Sequence, residues 1–129
     1  MKTISTHKAD AHKRLCISKD LKELELWLQC LEFFNEELDH FKNIEKDIIK
    51  NISISNNITA LRRKTILEIA SICKYEQALK TEHEYGKIEY DDVRSKQHDQ
   101  KRQNYLQLLK EQNAFKHQVF AHLNRFKRN

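Results

Sequence analysis

The amino-acid sequence predicts an all-α protein, a single-domain antiparallel three-helix bundle in which long, coiled-coil-like helices run up, down and up. The chain has 129 residues, a length that suits one domain. It contains one glycine and no proline, whereas β-rich and nucleotide-binding folds depend on glycine-rich turns. Apolar residues recur every three to four positions in three segments, and polar stretches separate those segments.

The N-terminal residues 1–17 predict a flexible, basic tail. They carry Lys and Arg in excess over Asp and show no apolar periodicity. They also lack the apolar stretch that a secretory signal requires. We therefore expect the bundle to occupy residues 18–129, with helices at about 18–51, 57–85 and 90–128.

A heptad pattern predicts the first helix. Asp20 followed by Glu23 matches the capping-box pattern of a helix N-terminus. Large apolar residues then occupy positions a and d over about four heptads, as in coiled coils. Position a carries Leu24, Leu31 and Leu38, and position d carries Trp27, Phe34, Phe41 and Ile48.

Glu45 interrupts the a positions of the first helix before Ile52. If the following turn is centred near Ile54, Glu45 lies level with Arg62 and Arg63 of the second helix. A charge in the core without a partner is strongly destabilising. We therefore expect a buried ion pair between Glu45 and these two arginines.

The Ser- and Asn-rich stretch 51–57 predicts the break between the first two helices, because these side chains favour turns and caps. Asn56 or Asn57 is the expected cap of the second helix. Gly86 is the expected C-terminal residue after it. The apolar face between them consists of Ile58, Leu61, Ile66, Ile69, Ile72, Cys73 and Leu79.

The third helix is expected to start near 90–92, where acidic residues suit the positive end of the helix dipole. Its apolar stripe is Tyr105, Leu108, Leu109, Phe115, Val119, Phe120, Leu123 and Phe126. Between Asp91 and Asn104 the only aliphatic residue is Val93. The sequence therefore leaves open whether residues 90–104 are helix or loop.

A mismatch along the bundle favours self-association. With turns centred near Ile54 and Lys87, Trp27 would lie level with the polar half of helix 3, and the C-terminal end of that helix would overhang. A late start of helix 3 after a long polar loop is one explanation, although such loops are uncommon. A second subunit that covers the overhang is the other.

A second apolar stripe on helix 1 also favours a partner, because a helix with two such stripes usually has more than one neighbour. The predicted interaction surface comprises Leu26, Cys30, Phe33, Phe120, Leu123 and Phe126. We expect a non-enzymatic interaction or scaffold protein that forms a homo-oligomer, with a dimer favoured, or binds another helical protein.

A metal-binding bundle is one alternative. Glu37 and His40 have the i,i+3 spacing that di-iron bundles use, and Glu68 lies level with His40 in the expected register. A solvated pair is the favoured interpretation, because the motif occurs once and faces away from the core. The sequence therefore predicts neither a cofactor nor a catalytic residue.

Weak, sequence-independent nucleic-acid binding is the other alternative. The net charge is +5, and helix 3 contributes Arg94, Lys96, Lys101, Arg102 and Lys110 in addition to the basic tail. These residues spread around the helix without interleaved aromatic residues. The apolar stretches are too short to span a bilayer, so no membrane association is expected. Three cysteines without paired spacing indicate a reducing, cytoplasmic compartment.

Overall fold

The computed structural model describes the backbone of residues 2–86, 90 and 92–126, and the side chains of residues 11–86, 90 and 92–125. Three α-helices form it: α1 (Lys2–Ile44), α2 (Ile52–Tyr85) and α3 (Asp92–Phe126). A single π-helical turn, Glu45–Ile49, follows α1. The helices pack against one another in alternating directions, which confirms the predicted antiparallel three-helix bundle.

Helix α1 begins at Lys2, whereas the sequence predicts a flexible tail up to residue 17. Ile17 is fully buried because it lies one heptad before Leu24 and extends the same stripe. Lys13 is buried as well, and its Nζ donates a hydrogen bond of 2.6 Å to the carbonyl oxygen of Gly86. A charged residue therefore continues the buried face of α1, which the apolar pattern alone does not reveal.

The turn between α1 and α2 comes earlier than predicted. The π-helical turn ends at Ile49, and Lys50 after it has a left-handed backbone (φ 52°). Its N–H donates to the carbonyl oxygen of Glu45 at 2.6 Å. The chain thus reverses at Lys50 rather than near Ile54.

Asn51 caps α2, in place of the expected Asn56 or Asn57. Its side-chain oxygen accepts hydrogen bonds from the backbone N–H groups of Ser53 (2.9 Å) and Ile54 (3.3 Å). These are two of the N–H groups that the first turn of a helix leaves without partners. The stretch 52–57, expected as a loop, is consequently the first part of α2.

At its other end α2 stops at Tyr85, followed by Gly86, as the sequence predicts. Gly86 has extended backbone (φ −71°, ψ 145°), not the left-handed conformation common after helices. A Cβ atom at this position would collide with the carboxyl group of Glu82 and with its backbone carbonyl oxygen. Glycine therefore permits the close approach of both the side chain and the carbonyl group of Glu82.

The earlier first turn removes the mismatch expected along α3. An earlier turn shortens α1 and lengthens α2 by the same number of residues. The position of α3 along α1 therefore changes by twice the displacement of the turn. Trp27 stacks on Tyr105 of α3 (ring centroids 5.1 Å apart), where the apolar stripe of that helix begins, and also on His98 one heptad earlier (5.5 Å). The C-terminal part of α3 packs on α1 as well, with Phe41 edge-on to Phe115 at 5.5 Å.

The heptad pattern of α1 correctly predicts its core residues, since all those from Leu24 to Phe41 at positions a and d are buried. Ile48 and Ile52 are exposed, because the π-helical turn and the chain reversal take them off the stripe. On α2, Ile66 and Cys73 are exposed although the sequence assigns them to the apolar face. The remaining core is Ile17, Ile54, Ile58, Leu61, Ile72, Leu79, Tyr105, Leu108, Phe115 and Val119.

Candidate functional site

Six polar side chains meet between the N-terminal half of α1 and the N-terminal half of α3. We call them the His98 cluster: Asp20, Glu23, Tyr75, Tyr90, His98 and Arg102. His98 is its centre, with only 1% of its surface exposed. Asp20 is also buried. Such burial of an imidazole and a carboxyl group requires partners for their polar atoms.

Both ring nitrogens of His98 have partners. Nε2 lies 2.6 Å from Oε1 of Glu23 and 3.5 Å from Oδ1 of Asp20. Nδ1 lies 2.8 Å from the hydroxyl oxygen of Tyr75 on α2. The ring also stacks on Trp27, with centroids 5.5 Å apart. All three helices therefore fix the orientation of this one side chain.

Arg102 binds Glu23 through two parallel hydrogen bonds. Its Nε donates to Oε2 and its Nη2 to Oε1, each at 2.8 Å. Nη1 of Arg102 also donates to Asp99 at 2.9 Å. The Arg102 hydrogen bonds hold the pKa of the Glu23 carboxyl below its usual value, against the opposing effect of burial. The Glu23 carboxylate consequently stays ionised beside His98 at neutral pH.

Two tyrosines complete the cluster as hydrogen-bond donors or acceptors. The Tyr90 hydroxyl donates to Oδ2 of Asp20. Burial, and then the nearby charge of Asp20, raise the pKa of Tyr75 to about 12. Burial and the bond to Asp20 also raise the pKa of Tyr90. Both phenols therefore keep their protons at neutral pH and can donate to anionic neighbours.

The cluster lies in the wall of a cavity of about 440 Å³. Asp20, Tyr90, His98 and Arg102 line it together with Cys16, Lys19, Ser95, Lys96 and Asp99. Asp20, Glu23 and His98 each point one possible ligand atom to the same place, with those atoms within 4.8 Å of one another. Two carboxylates and one imidazole in this arrangement can share a proton or coordinate a metal ion.

The metal candidates predicted from the sequence do not come together. Glu37 lies 2.8 Å from Nζ of Lys116 on α3, and His40 is exposed. Glu68, expected level with His40, is half-buried on α2, where burial raises the pKa of its carboxyl. Since the first turn is centred at Lys50, Glu68 lies further from His40 along the bundle than the expected register implies.

The expected ion pair of Glu45 with Arg62 and Arg63 does not form, and Arg62 binds other residues of α1. Arg62 donates to Asp39 at 2.5 Å and to the side-chain oxygen of Asn35 at 3.0 Å. Arg63 is exposed. Glu45 belongs to the π-helical turn beyond the end of α1, so it is not level with either arginine.

The predicted interaction surface is divided in the structure. Leu26 and Phe33 are each 62% exposed, and Cys30 between them is exposed too. Phe120 is about half exposed and edge-on to Phe41. Leu123 packs against the core, which the expected overhang of α3 would not allow. The side chain of Phe126 lies outside the described residues.

Several basic residues of α3 face other parts of the bundle. Arg94 lies 3.2 Å from Glu82, and Arg102 is bound to Glu23. Nζ of Lys101 donates to Ser71 and lies 5.6 Å from the centre of the Tyr75 ring. Three of the five helix-3 residues expected to bind nucleic acid thus have intramolecular partners, whereas Lys96 and Lys110 are exposed.

The sequence does not predict His98 as a site residue, because it lies in the polar stretch of helix 3. A signal for its burial exists, because His98, Tyr105, Gln112 and Val119 are spaced by seven and all are buried. Gln112 donates to Thr65 of α2 at 3.3 Å inside the core. Because His98 and Gln112 are polar, the apolar residues alone do not reveal this buried stripe.

Comparisons of the chain with protein-family models, with curated proteins and with solved structures give no match. Across the described residues, no helix combines the length and the apolar character needed to cross a membrane.

Proposed function

We propose that this protein is a non-enzymatic interaction module that forms a dimer through the outer face of α1. The observation that supports this proposal is the exposure of Leu26 and Phe33 on the side of α1 away from its core stripe, with the exposed Cys30 between them at the edge of that side, next to Tyr105. We call these three residues the outer α1 face. Large apolar side chains clustered in solvent commonly mark a binding surface, whereas scattered ones need no explanation.

Charges on either side of the outer α1 face favour a second copy of the chain as its partner. Lys22 is exposed one turn before Leu26, and Glu36 is exposed one turn after Phe33. In an antiparallel pair of α1 helices related by a two-fold axis, Leu26 packs on the partner's Phe33. The same axis brings Lys22 next to the partner's Glu36. A surface that complements itself in this way suits an isologous dimer.

The two-fold axis of this dimer passes near the level of Cys30, whose thiol is hydrogen-bonded to the Tyr105 side chain of its own chain. Cys16, Cys30 and Cys73 are free thiols in the chain. We place the protein in a reducing, cytoplasmic compartment on this basis, because unpaired thiols persist where disulfides are kept reduced.

Sedimentation equilibrium over a concentration series tests the proposed dimer. The wild-type chain is expected to dimerise, and Phe33→Glu is expected to be a folded monomer because it buries a charge in the interface. Leu67→Glu is the matched control, since Leu67 is 61% exposed on α2 outside this face. A wild-type protein that remains monomeric at the highest concentration, or a control as disruptive as Phe33→Glu, would contradict the proposal.

Charge reversal tests the antiparallel arrangement separately. Lys22→Glu and Glu36→Lys each place like charges together and are expected to raise the dimer Kd several-fold. The double variant restores opposite charges and is expected to regain most of the wild-type affinity. Additive weakening in the double variant would show that α1 does not pair in this way, even if the chain dimerises.

A further inference from the structure

We propose that the His98 cluster binds one divalent transition-metal ion, with Asp20, Glu23 and His98 as its protein ligands. This site is separate from the outer α1 face and goes beyond the proposed dimer. Two of the three ligands, Asp20 and His98, are buried and come from different helices. The cavity beside them gives access from solvent and room for water to complete the coordination.

The distances between the donor atoms favour this proposal. Nε2 of His98 and Oδ1 of Asp20 are 3.5 Å apart. Two ligands that each lie about 2.0–2.2 Å from one tetrahedral metal ion are separated by roughly this distance. Oε1 of Glu23 is closer to Nε2, at 2.6 Å, as a hydrogen bond requires. Glu23 therefore has to withdraw from Nε2 by roughly 1 Å, and Arg102, which bonds both of its oxygens, has to move with it.

Each ligand already has an outer partner that orients it. Tyr75 bonds the other nitrogen of His98, Tyr90 bonds Asp20, and Arg102 bonds Glu23. Partners of this kind fix the tautomer and direction of metal ligands in known sites. In the metal-bound state Nε2 of His98 carries no proton, and the remaining imidazole proton sits on Nδ1, where it donates to the Tyr75 oxygen.

The mixed donor set indicates the class of metal. One imidazole and two carboxylates suit zinc, cobalt or manganese better than magnesium or calcium, which prefer oxygen ligands alone. Arg102 offsets one of the two carboxylate charges, so the site attracts a dication less strongly than two free carboxylates would. We therefore expect moderate rather than very tight binding.

Titration of the chelator-treated full chain with Co²⁺, followed by calorimetry and by visible absorption, tests this site. The wild type is expected to bind one Co²⁺ per chain, with d–d bands that Zn²⁺ removes by competition. His98→Gln and Asp20→Asn are each expected to weaken Co²⁺ binding at least tenfold. Asp20→Asn keeps the shape of the side chain, so it remains informative if His98→Gln does not fold.

His117→Gln is the matched control, because His117 lies exposed on the same helix as His98. It is expected to leave the Co²⁺ affinity and stoichiometry unchanged. Absence of stoichiometric Co²⁺ binding by the wild type would overturn the proposal. Equal affinity in the wild type, His98→Gln and Asp20→Asn would overturn it too, since surface histidines would then be the ligands. The metal-binding test is independent of the proposed dimer. Phe33 lies outside the His98 cluster, so the same Co²⁺ titration can be made on Phe33→Glu.

Discussion

His98 and Glu68 show two outcomes for a titratable side chain placed inside a helical bundle. His98 is buried with both nitrogens bonded, so its burial leaves no ring nitrogen without a partner. Glu68 is half-buried, and its Oε1 is shielded from solvent with no hydrogen-bond partner in the described part of the chain. Burial raises the pKa of the Glu68 carboxyl, and the charge of Lys101 only partly opposes this.

Replacement of Glu68 by Gln is expected to stabilise the fold at neutral pH. Because the folded-state pKa lies above the unfolded value, the Glu68 carboxylate destabilises the fold once it ionises. That destabilisation is absent below pH 4.5, the usual value for a glutamate, and reaches its full size above the folded-state pKa. Partial exposure limits the gain in the free energy of unfolding to about 1 kcal/mol or less.

Urea unfolding of the wild type and Glu68→Gln at pH 7 and at pH 4 measures this gain. The variant should be the more stable at pH 7, and the difference should shrink at pH 4. Glu25→Gln serves as the control, because Glu25 is exposed on α1. A gain that is the same at both pH values would show that ionisation of Glu68 is not its cause.

Helix ends and turns are where element-level prediction was least accurate. Three asparagines, Asn51, Asn56 and Asn57, offer equivalent caps on the basis of residue type alone. The structure selects Asn51, because the π-helical turn and the left-handed Lys50 reverse the chain immediately before it. A π-helical turn leaves no clear mark in an apolar pattern, so the sequence could not reveal this choice.

Truncation of the capping side chain identifies the start of α2. Asn51→Ala removes the acceptor for Ser53 and Ile54 and is expected to lower the free energy of unfolding by about 1 kcal/mol. Asn56→Ala should have little effect, or a small stabilising one, because Asn56 is exposed in the first turns of α2. Chemical denaturation of both variants measures the difference, and a larger loss for Asn56→Ala would place the cap where the sequence alone suggests.

At the scale of the whole molecule, the sequence predicts which face of each helix is buried but not how the helices are aligned. The buried positions from Leu24 to Phe41 follow from spacing within one helix, so they were predictable. The alignment of the three helices depends on the residue at which the first turn is centred. An error in that position becomes an error twice as large in the register of α3 along α1. The His98 cluster joins residues separated by 75 and 79 positions, so its recognition required the correct alignment.

The N-terminal part of α1 closes the end of the bundle where α2 ends. Nζ of Lys13 bonds the carbonyl of Gly86 and lies 3.4 Å from Glu82, which also pairs with Arg94 of α3. At the same end of the bundle, Oγ of Ser18 lies 3.2 Å from Nε2 of His83 on α2. Lys13, which the charge pattern assigns to a flexible tail, thus binds the end of α2 and shares its partner Glu82 with Arg94 of α3.

Lys13→Ala is expected to destabilise the whole bundle, because it breaks a largely buried ion pair and leaves the Gly86 carbonyl without this donor. A loss of about 1–3 kcal/mol in the free energy of unfolding is typical for such a change. Arg14→Ala is the matched control, since Arg14 is adjacent, equally basic and exposed. Thermal and urea unfolding of both variants measure the contrast. Equal, negligible effects would mean that the contacts of Lys13 with Glu82 and with the Gly86 carbonyl contribute nothing to the stability of the bundle.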